Sequence, residues 1–256
     1  MGKYDGILIC SDFDCTLADR SGKGTVSKEN IEAVNRFMAE GGLFTLATGR
    51  QRKLLEKMDV PIKFNAPLIL VNGTVVDLNG EMIYENPLPE EAKELVFEIF
   101  EKHPAIREFH FRAKEFSEVY VNENGKAVCR EKADGKYYKC IFLFDSPEDC
   151  SDFMRDMRSE YGEKYEFDRS WGFEADMHVK GSGKGDAVRF LRDYYGEKVN
   201  RVICVGDYET DISMIVAADE GIDAFGGNSF RFCFGLCGSS ITGSQPGETE
   251  QKGSER

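Results

Sequence analysis

The chain has 256 residues, 41% of them apolar, and 33 Lys or Arg against 46 Asp or Glu, for a net charge of −13. That balance speaks against a nucleic-acid backbone or an anionic membrane surface as partner. It does not exclude small phosphorylated substrates, because a bound metal ion can invert the field inside one site. The N-terminus has no apolar run of signal-peptide length, and no stretch approaches the roughly 18 residues needed to span a bilayer, so a soluble, cytoplasmic protein is expected. Eight cysteines in such a chain read as free thiols. Cys10 and Cys204 sit inside apolar runs as small core residues, whereas Cys233 and Cys237 lack a nearby histidine and make a poor zinc site. His103, His110 and His178 are scattered and have no nucleophile context.

Ile7 to Cys10 is a short continuous apolar run, which suits a strand buried on both faces. It ends in Ser11-Asp12-Phe13-Asp14-Cys15-Thr16. In extended chain the two carboxylates would lie about 6–7 Å apart along one face. Ser27 then reads as an N-cap, with Ile31, Val34 and Met38 at helical spacing and Gly41-Gly42 as the stop. Leu43 to Ala47 is a second apolar strand, ending in Thr48-Gly49-Arg50, and Pro67 to Val71 is a third, ending in Asn72-Gly73. Asn79-Gly80 between Val75–Leu78 and Met82–Tyr84 is a hairpin signal.

The period changes after Pro87-Leu88-Pro89. Ala92, Leu95, Val96, Ile99 and Phe100 define one helix face. Ile106–Arg112, Val119–Asn122 and Tyr137–Phe144 read as strands, with turns at Asn124-Gly125 and Asp134-Gly135. Ser146-Pro147 opens a capped helix that buries Phe153, Met154 and Met157, and strands follow near Tyr165–Phe167 and Phe173–Val179. Residues 88–176 are therefore expected to form an inserted α+β unit between core segments 1–87 and 177–230. The opening pattern resumes with a helix from Lys184 that carries Ala187, Val188, Leu191, Tyr194 and Tyr195. A fourth buried strand, Val202–Val205, ends in Gly206-Asp207-Tyr208-Glu209-Thr210-Asp211.

Four apolar strands that finish in polar or glycine residues suggest an open parallel sheet, where ligands bind at the carboxyl edge. Gathered carboxylates bind a hard cation such as Mg²⁺. A hydroxyl, backbone amides beside Gly49 and the Lys184 ammonium would hold the oxygens of a phosphate. This chemistry suits in-line phosphoryl transfer. A P-loop reading of Gly181 to Gly185 fails, because Gly-Lys is followed by Gly185 instead of Ser or Thr.

The order D-x-D-x-T, T-G-R, K-G and G-D-x-x-x-D, running from Asp12 to Asp211, closely resembles the four motifs of the haloacid dehalogenase superfamily. The large insert between the second and third motifs resembles the Cof-type branch of sugar-phosphatase-like hydrolases with an α/β cap. The resemblance implies an α/β fold, a three-layer Rossmannoid parallel-sheet core with an inserted α+β cap domain. It also implies a Mg²⁺-dependent phosphohydrolase acting on small phosphate monoesters such as sugar phosphates. Carried onto matching positions, it makes Asp12 the nucleophile that forms an aspartyl-phosphate and Asp14 the general acid and base. Thr48, Gly49 and Lys184 would bind phosphate, and Arg50 would contact substrate. Mg²⁺ would be held by Asp12, the Asp14 backbone carbonyl, Asp207 and Asp211. Phe111, Tyr120 and Trp171, together with the turns at 122–125 and 170–173, are candidate contacts for the rest of the substrate, although the three aromatic residues also suit the cap core.

The chain departs from the family pattern in three places. Cys15 stands where the family has glycine, and Thr210 where it has asparagine. From Gly226 the expected core strand and helix give way to a segment rich in Gly and Ser, so the tail 231–256 is expected to be disordered, as after a change of reading frame. A phosphomutase on the same scaffold, or a phosphate-binding protein without turnover, remain alternatives. The sequence is silent on oligomeric state.

Overall fold

A computed structural model describes residues 2–224 apart from Arg20, Gly22 and Asp134. The expected tail 231–256, Cys233, Cys237 and Asp134 of one expected turn lie outside the described residues. Strand β1 (Ile7–Ser11) leads to helix α1 (Lys28–Ala39), β2 (Leu43–Leu46), α2 (Arg52–Glu56), β3 (Leu68–Leu70), β4 (Val75–Leu78) and β5 (Glu81–Glu85). Next come α3 (Glu91–Lys102), β6 (Glu108–Ala113), β7 (Ser117–Glu123), β8 (Lys126–Glu131), β9 (Tyr137–Leu143), α4 (Pro147–Tyr161), β10 (Tyr165–Trp171) and β11 (Glu174–Val179). The chain then passes through α5 (Lys184–Tyr195), β12 (Arg201–Gly206), α6 (Ile212–Ala217) and β13 (Glu220–Asp223). Among the described residues no helix is long and apolar enough to cross a membrane.

The core sheet is parallel, in the order β13-β12-β1-β2. Alternate residues of β1 serve opposite faces. Ile9 packs with Val34, Phe37 and Phe44 on the α1 side, while Leu8 and Cys10 pack with Val188, Leu191 and Val202 on the α5 side. Burial on both faces makes three layers, and it is why β1 reads as an unbroken apolar run. Cys10 and Cys204 are register partners and are both buried free thiols. The Ser27 side chain caps α1 by accepting the Asn30 N–H at 3.2 Å.

The third apolar run departs from expectation. Strand β3 pairs antiparallel with β4, and β4 with β5, and a single parallel bridge from Ala47 to Ile69 joins them to the core sheet. Val71, Asn72 and Gly73 all have positive φ (51°, 59° and 96°), which turns the chain back directly after β3. The Asn79-Gly80 hairpin forms as expected, with φ of 54° and 97°.

The insert folds as a six-stranded antiparallel sheet, in the order β10-β11-β9-β6-β7-β8. One face is apolar: Phe109, Phe111, Cys140 and Phe142 pack against Val96 of α3 and Phe153 of α4. The other face, through Arg112, Lys139, Ile141 and Glu174, contributes to the wall of a cavity at the core's carboxyl edge. The sequence reading misses β8, an edge strand whose residues are all partly or fully exposed, so it lacks alternation. The sheet also runs past residue 176, because β11 continues to Val179.

His178 lies near the passage from β11 to α5 and is fully buried, with Nε2 3.1 Å from Asp168 Oδ2 and Nδ1 3.2 Å from Ser182 Oγ. Burial opposes its ionisation, but Asp168, and more weakly Glu166, outweigh burial and hold His178 above the usual histidine range. A raised pKa contributes stability that is complete below the unfolded-state value of about 6.5 and is lost as pH rises through the folded value. The stability advantage of wild type over Asp168→Asn should therefore be largest near pH 6 and shrink toward pH 9. Urea unfolding at several pH values measures it, and parallel profiles for the two proteins would contradict this account.

Candidate active site

The end of β1 is anchored by the Asp12 N–H, which donates to the Val205 carbonyl at 2.8 Å. The chain then leaves extended geometry in a helical turn over Phe13–Leu17. The two carboxylates consequently take different partners. Asp12 Oδ1 accepts from Lys184 Nζ at 2.7 Å, while both Asp14 oxygens accept from Arg50, through Nε and Nη2 at 2.7 Å each.

Lys184 opens α5 behind Gly183, and its ammonium also reaches Asp211 Oδ1 at 2.6 Å. Burial disfavours that charge, but Asp12 and Asp211 overcome it and push the ammonium well above the usual lysine range. Burial pushes the Asp12 carboxyl up to about 8, against the pull of Lys184, with Asp211 and Asp14 adding repulsion. The other Asp211 oxygen accepts the N–H groups of Asp207 at 3.0 Å and Tyr208 at 3.1 Å. This fold-back requires Gly206, since a Cβ there would sit 2.4 Å from Asp211 Cβ. Asp207 Oδ1 accepts the Thr16 hydroxyl at 2.7 Å, which gives the last residue of D-x-D-x-T a task the sequence reading leaves open.

Carboxylate oxygens of Asp12, Asp207 and Asp211 lie within 4.8 Å of one another. The oxygens of these three acidic groups are hard donors gathered in one place, a set that fits Mg²⁺, whose charge would favour the ionised form of Asp12. The Asp14 side chain stands outside this trio.

Thr48 and Gly49 follow β2. Thr48 is fully buried, and its Oγ1 accepts the Arg50 N–H at 3.2 Å; it lies beneath the cavity, whereas Gly49 and Arg50 line it. Asn72 closes the third side. Its N–H donates to the Thr48 carbonyl at 3.0 Å, and its Nδ2 donates to Asp176 Oδ2 in the inserted sheet at 2.5 Å. Gly73 packs directly on the start of α5, where a Cβ would fall 2.3 Å from the Gly183 carbonyl oxygen.

The cavity between the two sheets has a volume of about 560 Å³. Trp171 lines it, half-exposed, with its ring 6.3 Å from that of Tyr208. Phe111 and Tyr120 instead pack in the cap core, and the 122–125 turn stays away from the cavity. Sequence reasoning misses Lys139 and Asp176, both buried and joined at 2.7 Å, and it misses Arg112 in the cavity wall. The available signal was a lone charge inside an apolar strand, as in Tyr138-Lys139-Cys140.

Cys15, at the glycine position of the resemblance, adopts φ 64°. A left-handed L-residue costs roughly 1–2 kcal/mol. Cys15→Gly is expected to stabilise the protein by about 1 kcal/mol net of its greater unfolded-state freedom, seen as a higher thermal midpoint. A lower midpoint would show that the thiol's contacts outweigh the backbone strain.

The chain matches the family of haloacid dehalogenase-like hydrolases over residues 9–224. It is 24% identical over 254 residues to the 5-amino-6-(5-phospho-D-ribitylamino)uracil phosphatase YwtE of Bacillus subtilis, covering 84% of this chain and 86% of that protein. It is 26% identical over 214 residues to the phosphoglycolate phosphatase of Sulfurisphaera tokodaii, covering 83% and 78%. A solved haloacid dehalogenase-like hydrolase from B. subtilis is similar in fold, with a TM-score of 0.69 at 18% identity over 84% of this chain and 87% of that one. So is a subclass IIB sugar phosphatase of this superfamily, with a TM-score of 0.64 at 19% identity over 84% and 92%. From the family match, the parallel core and the antiparallel sheet inserted over its carboxyl edge, the chain belongs to the haloacid dehalogenase-like hydrolases, in their Cof-type branch.

Proposed function

We propose that this chain is a Mg²⁺-dependent phosphatase that cleaves small phosphate monoesters, sugar phosphates among them, through an aspartyl-phosphate on Asp12. One observation carries the reading: the Asp12 carboxylate, buried at the end of β1 and held by Lys184, borders a cavity sized for a small ester. Asp12 and Asp207 would hold Mg²⁺ directly, assisted by the Asp14 backbone carbonyl, while Asp211, already engaged by an ammonium and two amides, would act through water. When bound, Mg²⁺ neutralises charge on the phosphoryl oxygens and orients them for in-line attack.

The residues divide the remaining work. An Asp12 oxygen attacks phosphorus as the ester P–O bond breaks, and Asp14 protonates the departing alcohol. Asp14 then takes a proton from water, whose oxygen attacks the aspartyl-phosphate, releasing inorganic phosphate and restoring Asp12. Lys184 and the amides at Gly49 stabilise the phosphoryl oxygens, while the buried Thr48 hydroxyl, accepting the Arg50 N–H, fixes the turn that presents them. Arg50 orients Asp14 by a two-point contact, of which one bond must open for that Asp14 oxygen to carry the proton. The phosphatase names of the relatives support the reaction class.

Phosphate release from p-nitrophenyl phosphate should require Mg²⁺, stop on chelation and resume when Mg²⁺ is restored. Asp12→Asn should lower kcat by about 10³-fold or more, as for loss of a covalent nucleophile. Undiminished release by Asp12→Asn, or release indifferent to chelation, would refute the proposal.

A further inference from the structure

Four described cations line the cavity: Arg50, Arg112, Lys139 and Lys184. Three are engaged with carboxylates, namely Arg50 with Asp14, Lys139 with Asp176, and Lys184 with Asp12 and Asp211. Arg112 is the exception. Among the described residues no carboxylate lies within 4.0 Å of its guanidinium, and Nη1 donates to the Ser117 hydroxyl at 2.6 Å. Asp176 and Glu174 of β11 attract it only from farther away, and burial disfavours its charge. Its register partner across the sheet is Lys139, so two cations stand side by side on one partly buried face. Like charges directly opposed on neighbouring strands destabilise a sheet. A fork of five donors, mostly uncommitted, beside a second cation and facing a cavity is a place for an anion.

That anion is distinct from the transferred phosphoryl group, which belongs to the core side of the cavity with Asp12 and Lys184. Arg112 enters from the inserted sheet, on the side where the leaving alcohol must lie. Ile141 and Trp171 border the same space and offer apolar contact to a carbon skeleton. We infer that Arg112 recognises a second anionic group, a carboxylate or another phosphate, on the alcohol portion of the substrate. The preferred substrates are then small monoesters with two anionic ends, and Arg112 is the residue that selects them. This inference rests on the phosphatase reading for its location relative to the reacting phosphorus.

The test compares matched esters on the full chain with Mg²⁺: 2-phosphoglycolate against 2-hydroxyethyl phosphate, and 1,3-propanediol bisphosphate against propyl phosphate. A two-point charged contact predicts about a 10- to 100-fold higher kcat/KM for the anionic member of at least one pair, and the pair concerned tells carboxylate from phosphate. Arg112→Ala should reduce that preference to within about threefold, with Arg112→Lys in between. Arg112→Gln, which can retain the Ser117 contact, replaces the alanine variant if that one fails to fold. Wild type without preference in either pair, or a preference undiminished by loss of Arg112, overturns the inference. The same esters are titrated by calorimetry into Asp12→Asn and Asp12→Asn/Arg112→Ala. A binding preference that depends on Arg112 there upholds its role even if wild type releases no phosphate, a result that would sink the phosphatase reading alone.

Discussion

The buried ammonium of Lys184 between Asp12 and Asp211 is the contact on which the rest of this structure depends. Its partner Asp12 is 172 residues away in sequence, so the contact ties the first strand to the helix that follows the insert. Removing one member of such a buried cluster typically costs 3–5 kcal/mol, because the charge left behind is neither solvated nor paired. The carboxyl ends of β1 and β12 and the N-terminus of α5 must therefore arrive together. Gly73 and Gly206 permit this: at each, a side chain would collide with the backbone or carboxylate that the cluster requires.

A second buried polar node joins the inserted sheet to the core. Asp176 is fully buried and accepts from Lys139, Asn72 and Ser170, so its charge is compensated from both units. Asn72 belongs to the turn that also packs against the start of α5. The loop that lines the Asp12 end of the cavity is thus the one that meets the cap. Because buried polar groups must be paired, this contact specifies one seating of the cap more sharply than an apolar patch would.

The cavity between the two units is asymmetric in charge. Its core side carries the carboxylate trio with Lys184 and the Asp14–Arg50 pair, while its cap side carries Arg112, Glu174 and Lys139, the last paired with Asp176. The alternation of the antiparallel sheet creates this division: alternate residues bury Phe109, Phe111 and Phe142 beneath the helices and leave a polar set for the other face. A fold of this kind can keep one chemistry on the core and vary recognition through the underside of the cap.

Much of this was legible in the sequence. Apolar runs marked β1, β2 and β12, Ser27 and Ser146 marked helix starts, and Asn79-Gly80 marked a hairpin. The strand and helix ends also named Asp12, Lys184, Asp207 and Asp211 as one constellation, whereas the Asp14 side chain pairs with Arg50 outside it. Local chemistry determines these features, since buried strands must be apolar, caps need short polar side chains and left-handed turns favour Asn-Gly. Tertiary structure decided the pairing of β3, the edge strand β8, the engagement of Arg50 with Asp14, the buried position of Thr48 and the separation of Trp171 from the cap core. It also brought Arg112 and Lys139 into the wall of the cavity at the core's carboxyl edge. Periodicity reports which residues are buried, whereas their partners depend on how distant segments cross, and no local pattern encodes that.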